Sequence, residues 1–249
     1  MEYLEYFERF PDAYAKIVKS LNRIETLYQY LRACGLLQGV KSVLSIGSGD
    51  AAVEIRLAGE LGFELGVVEP AEDYLKKSLA GAEAAGIRLR EAHHGSFQSY
   101  QSHLKYDLVL SLYSWFAFGF DRQVLEKALS CRAPGGKLVI CLQGEASPST
   151  QISGLSRASG INLTSEKISQ WATELGFDHR VEVYHGVVPA PTYLDNRGLT
   201  QTGRDLVSFL LATPWDDVTP ELRAKTLGIL QESLCDGNVD FESPCLIFE

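Results

Sequence analysis

The sequence predicts an α/β fold: a mostly parallel sheet of seven strands lying between layers of helices. Three observations predict it. Short β-rich runs alternate with helical patterns between Lys41 and Leu142, and such alternation calls for right-handed crossovers into a parallel sheet. The strand runs, among them Val43–Ile46 and Asp107–Leu112, are apolar at successive rather than alternate positions, as in a sheet covered on both faces. Two late strand-like runs, Arg180–Val188 and Cys245–Glu249, stand apart from that set.

Residues 1–40 read as helical, because Leu4, Phe7, Phe10, Tyr14, Ile17, Leu21, Ile24, Leu27 and Leu31 recur at three- and four-residue steps. Pro11 marks a boundary between two helices there. The first strand is expected over Lys41–Ile46, followed by a helix over Ala51–Leu61 and a second strand at Gly66–Glu69. A helix over Ala71–Ala85, a strand over Ile87–Ala92 and a strand over Asp107–Leu112 come next. A helix over Arg122–Ser130 then leads through a Pro134-Gly135-Gly136 turn into a strand over Lys137–Leu142. Ser147–Gly160, rich in Ser and Gly, reads as a loop. Thr164 or Ser165 caps a helix running to Leu175, and Gly176 stops it. Helical patterns at Thr202–Ala212 and Pro220–Leu234 separate the last two strands, and the roughly 55 residues between those strands are too many for a hairpin. One domain is expected: a helical lid at 1–40, a core at 41–188, a helical insert at 189–242 and the last strand at 243–249.

Composition narrows the function classes. The chain has 249 residues, 45% hydrophobic and 22% charged, enough apolar material for one sizeable core. Its longest apolar stretch, around Leu108–Phe120, is interrupted by Ser111, Ser114 and Gly119 and falls short of the roughly 18–20 residues that span a bilayer. The first five residues are acidic where a secretory signal would be basic, so a cytoplasmic protein is expected. A formal net charge of −9 with no compensating basic run disfavours nucleic acid and anionic lipid surfaces, leaving a small-molecule partner. The five cysteines (Cys34, Cys131, Cys141, Cys235 and Cys245) are scattered and form no CxxC pair; they read as reduced, mostly buried thiols. His103, His179 and the other histidines lack metal-ligand spacing, so no metal is expected.

The site-bearing stretch is Val43-Leu44-Ser45-Ile46-Gly47-Ser48-Gly49-Asp50. A strand that ends in Gly-x-Gly before a helix lets a ligand approach the backbone and turns helix N–H groups toward it. Glu69 ends the next strand 22 residues after Gly47, where a carboxylate accepts ribose hydroxyls. Ala52 completes a GxGxxA pattern, so a nicotinamide oxidoreductase and a methyl-transferring enzyme both remain open at this point. A module that binds the cofactor without turnover is a further alternative.

Later motifs separate these readings. A polar residue after the third strand (Gly95-Ser96-Phe97), an Asp opening the fourth (Tyr106-Asp107-Leu108-Val109) and a Pro-Gly-Gly turn before the fifth (Ala133–Leu138) follow in order. Together they resemble the pattern of class I S-adenosylmethionine-dependent methyltransferases, whose Rossmann-like sheet closes with an antiparallel carboxy-terminal element. Ser45 stands where many of those enzymes carry Asp or Glu. The chain also resembles the histamine N-methyltransferase family over most of its length. Carrying residues are Tyr3-Leu4-Glu5 with Phe7, Arg9 and Phe10, Leu44–Gly49, Val67-Val68-Glu69-Pro70 and Ser99-Tyr100-Gln101-Ser102. Leu163-Thr164-Ser165, Leu175-Gly176 and Pro220–Ala224 add to them, and Ser45 is shared with that family.

The resemblance implies a monomer that binds S-adenosyl-L-methionine, with the amino-terminal helices and the late insert covering the substrate. Gly47, Glu69, Ser96, Phe97 and Leu112 are implied to line the cofactor, together with Ser48, Gly49 and Pro70 of the same segments. Tyr3, Phe7, Lys16, Tyr113, Phe116 and the Phe241–Glu242 region are implied around the substrate, and the aromatic run Tyr113-Ser114-Trp115-Phe116 adds Trp115. Lys16 falls where the family holds a glutamate for the amine, and Tyr113 replaces a glutamine. The expected acceptor is the nitrogen of a small amine or imidazole. The alternative is a carboxylate or hydroxyl, which Lys16 would attract. His93, His94 and His185 read as surface or structural residues, and no catalytic base is assigned.

Overall fold

The computed structural model describes residues 23–119, 121–156 and 163–249, leaving out the side chains of Phe116 and Ala117. The expected lid residues Tyr3, Phe7 and Lys16, and the Pro11 boundary, lie outside the described residues. The chain divides into two compact units.

The first unit, Leu27–Leu142, Ser165–Glu182 and Pro244–Glu249, carries most of the sheet. In chain order the elements are α1 (Arg23–Ala33), β1 (Ser42–Ile46), α2 (Ala52–Leu61), β2 (Glu64–Glu69), α3 (Glu72–Ala84), β3 (Leu89–His94) and β4 (Tyr106–Leu112). They continue with α4 (Gln123–Ser130), β5 (Arg132–Cys141), α5 (Pro148–Gly154), α6 (Ser165–Glu174) and β6 (Arg180–Pro189). Two short strands, β7 (Leu194–Asp195) and β8 (Gly198–Leu199), precede α7 (Gln201–Leu211), α8 (Pro220–Glu232), β9 (Leu234–Cys235) and β10 (Asn238–Phe248).

Strand order in the sheet is β3-β2-β1-β4-β5-β10-β6, with β9 paired to β10 as an eighth strand. The pairs β1–β2, β1–β4, β2–β3 and β4–β5 are parallel, whereas β10 runs antiparallel to β5. Every residue of β1 is buried, which is why Val43, Leu44 and Ile46 are apolar on both faces of the strand and its two serines are small. Each fully buried aliphatic side chain of this kind contributes about 1.5–3 kcal/mol, so the central strands are the firmest part of the fold. Order reverses between β1 and β4, and ligands of open α/β sheets bind beyond the carboxyl ends of the strands at such a point.

Several expected boundaries move, each for a local reason. The third strand begins at Leu89 rather than Ile87, because Ile87 closes the preceding helix: its N–H bonds Ala82 C=O at 2.8 Å while Gly86 adopts φ 69°. His93 and His94 therefore belong to β3 instead of following it. The Pro-Gly-Gly turn is a bulge inside β5, where the register jumps from Tyr106↔Arg132 to Leu108↔Lys137. Gly136 is obligatory there, since a Cβ would sit 2.7 Å from Tyr106 C=O.

The second unit takes its described residues from 23–26, 143–156, 163–164 and 183–243. Its core joins Ile152 of α5, Tyr193, Leu206 and Leu210 of α7, Leu230 of α8 and Phe241 of β10. Ser147–Gly160, expected as a loop, holds α5 instead. Pro148 opens that helix, Ser149 and Ser153 are small enough to be buried, and Ser153 Oγ bonds Ser149 C=O at 2.8 Å. Thr200 and Thr219 cap α7 and α8 through bonds to the Gly203 and Leu222 amides. The last strand starts at Asn238, seven residues earlier than expected, because Asp236 (φ 48°) and Gly237 (φ 76°) make a tight turn that pairs β9 with β10. Phe241 and Glu242 are thus strand residues.

The cysteine expectation is corrected at one pair. Cys141 and Cys245 face each other across β5–β10 and form a disulfide, with Cα atoms 4.2 Å apart. Leu142 N–H bonds Pro244 C=O next to them, so the cysteines occupy the close, non-hydrogen-bonded pair of the ladder. Widely spaced in sequence, they are juxtaposed only by the strand order. Cys34 and Cys131 are half-buried and Cys235 is exposed.

Alkylation of the denatured, unreduced protein should label three cysteines, and all five after reduction. The bridge closes a separation of 104 residues, so reduction should lower stability by roughly 2–4 kcal/mol. Five labelled cysteines without reductant would remove the bridge.

Candidate functional site

The loop after β1 turns back over the end of β2. Gly47 N–H and Ser48 N–H both reach Val68 C=O, at 2.8 and 3.2 Å. Gly47, Gly49 and Ala51 hold φ of 64°, 57° and 52°. Gly47 is packed rather than open: a Cβ there would collide with the Ser114 side chain, whose Oγ lies 2.8 Å from that position. Gly49 has nothing within 4 Å of its Cβ position. Only this second glycine leaves room for a ligand against the backbone.

Glu69 locks the loop. Its Oε2 accepts Gly49 N–H at 2.8 Å and its Oε1 accepts Ala71 N–H at 2.9 Å. The residue is 6% exposed. Burial pushes its carboxyl above the ordinary range, against the pull of the Ala71 and Gly49 amides and of His94 nearby. Each carboxylate oxygen keeps a further lone pair for a ligand hydroxyl. Ser78 Oγ steadies the same loop by bonding Gly49 C=O at 2.7 Å. Ala51, at the start of α2, provides no side-chain cap, and Ser48 Oγ is buried without a partner.

Beyond β3, Ser96 is exposed and its Oγ accepts Ser99 N–H at 3.3 Å. Phe97 is fully buried; its ring stacks with Tyr100 and meets Phe118, with Lys127 Nζ 5.2 Å above it. Leu112 is half-buried at the end of β4. Tyr113 follows in a left-handed conformation, φ 56°, with its N–H on Cys141 C=O at 2.8 Å. Ser114 Oγ bonds Ile46 C=O at 2.5 Å and Ser111 Oγ at 2.7 Å. The ends of β1 and β4 are thereby tied together.

The first unit thus brings together Gly47, Ser48, Gly49 and Glu69, with Pro70 following and Ser114 closing the far side. Trp115, expected among the substrate contacts, is 0% exposed and lies edge-on to Phe118. Its Nε1 is buried without a partner. Glu242 is half-buried in β10 of the second unit. The Phe116 side chain, Tyr3, Phe7 and Lys16 are outside the described residues.

One residue was missed by sequence reasoning. Glu54 in the first turn of α2 is 3% exposed and accepts Ser45 Oγ at 2.5 Å. Burial, chiefly, pushes its acid up to about 7, and the charge of Asp50 adds to that, while Ser45 opposes it. Its signal was available: Glu54, Leu57 and Ala58 form one i, i+3, i+4 stripe, so an acid stands on an otherwise apolar helix face.

Three of the five histidines have local hydrogen-bond partners. His93 Nε2 meets Ser99 Oγ at 3.3 Å, His179 Nε2 meets Ser169 Oγ at 2.7 Å, and His185 Nδ1 meets Asp240 Oδ2 at 2.7 Å. Among the described residues, no group of three or more His, Cys, Asp or Glu could hold a metal, and no helix is long and apolar enough to cross a membrane.

The sheet order and the position of the loop define a Rossmann-like methyltransferase fold. Solved structures share it. A Bacillus halodurans C-125 protein assigned as a methyltransferase is 16% identical, with 86% of this chain and 96% of that chain covered at a TM-score of 0.58. A Galdieria sulphuraria protein assigned as a sarcosine dimethylglycine methyltransferase is 17% identical, with coverages of 92% and 85% and a TM-score of 0.57. A SAM-dependent methyltransferase from Geobacter sulfurreducens, solved with S-adenosyl-L-homocysteine, is 18% identical, with coverages of 92% and 90% and a TM-score of 0.55. At these identities the likeness is one of fold, and it does not single out the histamine N-methyltransferase family. No protein-family model and no curated protein matches the chain.

Glu54 makes stability pH-dependent. An acid at about 7 in the folded chain and near 4.5 when unfolded keeps its proton longer when folded. Its stabilising protonated form is complete below about pH 4.5 and is lost as pH rises through about 7, on the order of 3 kcal/mol in all. Denaturant unfolding at pH 5 and pH 8 should show a fall in wild type that is smaller in Glu54→Gln by that amount. Equal falls would place Glu54 at an ordinary pKa.

Proposed function

We propose that this chain is an S-adenosyl-L-methionine-dependent methyltransferase acting on a small molecule, with nitrogen of an amine or imidazole as the first acceptor class. The observation that carries the reading is the bond between Glu69 and Gly49 at the carboxyl ends of β2 and β1. It sets a ribose-accepting carboxylate beside the one loop glycine that has open space. The unpartnered Ser48 Oγ is a polar group of the kind a ligand satisfies. These residues fit the cofactor.

On this reading Gly49 admits the cofactor to the backbone and Glu69 accepts its ribose hydroxyls. Pro70, Ser96, Phe97 and Leu112 border the adenosyl group, and Gly47 keeps the loop seated on Ser114. When bound, the cofactor supplies a methyl group already activated as a sulfonium. What the chain adds is alignment and exclusion of water. A neutral amine needs no dedicated base, which suits a site where none is assigned. Tyr113, Trp115, Phe116 and Glu242 are proposed substrate contacts, with Tyr3, Phe7 and Lys16 supplied from the residues not described. The segments 1–40 and 189–242 are proposed as its cover, in a monomer free of nucleic acid and membrane.

The sequence favours a second reading at one position. Lys16 suits a carboxylate or hydroxyl acceptor better than a cationic amine. Transfer of labelled methyl to a panel of amines, imidazoles, acids and phenols should label nitrogen acceptors. Labelling of oxygen acceptors alone would select the second reading, and Lys16→Glu should then suppress acids selectively.

Calorimetry should find S-adenosylhomocysteine bound and NAD(P) not. Glu69→Ala should weaken S-adenosylhomocysteine at least tenfold, because a charged hydrogen-bond acceptor is lost. A change of less than about threefold would remove Glu69 from the ribose site.

A further inference from the structure

A cavity of about 580 Å³ lies in the first unit, at the far end of the sheet from the loop after β1. The carboxy-terminal end of α2, the first residue of β2 and the segment Ala85–Arg90 between α3 and β3 line it. β2 runs from Glu64, on the cavity, to Glu69, on the loop, a separation of roughly 16 Å at the rise of a strand. The cavity has the size of a small-molecule site, and the cofactor reading makes no use of it. Its floor is apolar: Ala58 and Phe63 are buried, and Ile87 and Leu89 are half-buried on its wall.

Two arginines stand at the rim, and they are engaged differently. Arg90 is held: its Nη1 lies 3.4 Å from Glu64 Oε2, and its guanidinium is 5.2 Å from the centre of the Tyr106 ring. Arg88 is exposed and has no hydrogen bond, ion pair or ring contact among the described residues. With Glu64 matched to Arg90, one guanidinium is left over in a chain whose net charge is −9. The planar fork of a guanidinium matches a carboxylate, and the negative dipole ends of α2 and α3 disfavour a doubly charged ligand beside it. Gly59 points the same way. Glycine weakens a helix interior, yet a Cβ there would have only Ile87 Cδ1 within 4 Å, at 3.8 Å. Protein packing does not demand this glycine; its bareness keeps the cavity open. We infer that the cavity is a second binding site, for a small monocarboxylate with an apolar body. The carboxylate pairs with Arg88, and the body lies on Phe63, Ile87 and Leu89.

The probes are phenylacetate, its neutral amide phenylacetamide, and inorganic phosphate, titrated into the full chain while the backbone amide NMR signals of Gly62, Gly86 and Leu89 are followed. Phenylacetate should shift these signals saturably and bind at least about threefold more tightly than phenylacetamide, as one exposed ion pair allows. Arg88→Gln should erase that preference and leave phenylacetamide within about twofold, since only the ion pair is removed. Gly59→Leu, a change that favours the helix, should fill the cavity and abolish both shifts while the thermal midpoint is kept or raised. Excess S-adenosylhomocysteine should leave phenylacetate bound, because the two sites are at opposite ends of β2. Absence of saturable shifts with phenylacetate overturns the inference, as does equal affinity of wild type for acid and amide. Tighter binding of phosphate would overturn the ligand class, and displacement by S-adenosylhomocysteine the separate site. If Gly59→Leu does not fold, the Arg88→Gln comparison decides: an acid preference that survives it overturns the assignment.

Discussion

The structure of the site depends on one carboxylate held by two backbone amides. Glu69 ends a buried strand, and its two oxygens fix Gly49 N–H on one side and Ala71 N–H on the other. Because β2 lies between β1 and β3, this single group couples the loop after β1 to the start of α3. Burial works against the charge and the amides work for it, so the carboxylate is a strong acceptor whose position is set by backbone. Side-chain rotation costs little in water; here it would break two charge-assisted bonds.

The Gly-x-Gly pattern divides into two unlike positions. Gly47 is demanded by the protein itself, because β4 brings Ser114 against it and Ser114 in turn bonds Ile46 C=O. A Cβ built at Gly49 would have no protein atom within 4 Å. A sequence motif treats the two as equivalent; packing does not. The tie between Ser114 and Ile46 also explains the left-handed Tyr113, since the chain must leave β4 sharply to place Ser114 over β1. Strain of this kind persists where surrounding bonds over-determine the backbone.

Much of the fold was legible because buried parallel strands have a plain signature. β1, β2, β4 and β5 came from apolar runs, and the crossover rule supplied their direction. What sequence reasoning misplaced involved competition between local signals. Ile87 looks like the start of a strand, but the αL glycine before it recruits the isoleucine to close α3. Ser149 and Ser153 look like loop residues, yet small side chains are what a buried face of α5 accommodates. The Cys141–Cys245 pairing needed the strand order, which places β10 beside β5. In the site, Gly49 and Glu69 were readable from spacing. For Trp115, an aromatic after a strand can face a pocket or the core, a choice that sequence spacing alone does not make; in the structure its ring lies edge-on to Phe118. Glu54 was overlooked for a different reason: attention to motifs passed over a single acid on an apolar stripe.

The placing of Glu69 follows a catalytic constraint, given the function proposed. A sulfonium loses its positive charge as the methyl group leaves, so an anion set beside the sulfur would stabilise the reactant more than the transition state and slow the reaction. Anions that bind the cofactor without this penalty must act on parts whose charge and hydrogen bonding do not change during transfer. Ribose hydroxyls are such parts. A carboxylate on those hydroxyls lets an acidic chain hold a cationic donor without acting on the reacting sulfur. At the end of β4, Ser114 spends its hydroxyl on Ile46 and Ser111, so it adds no charge to the loop that Glu69 holds.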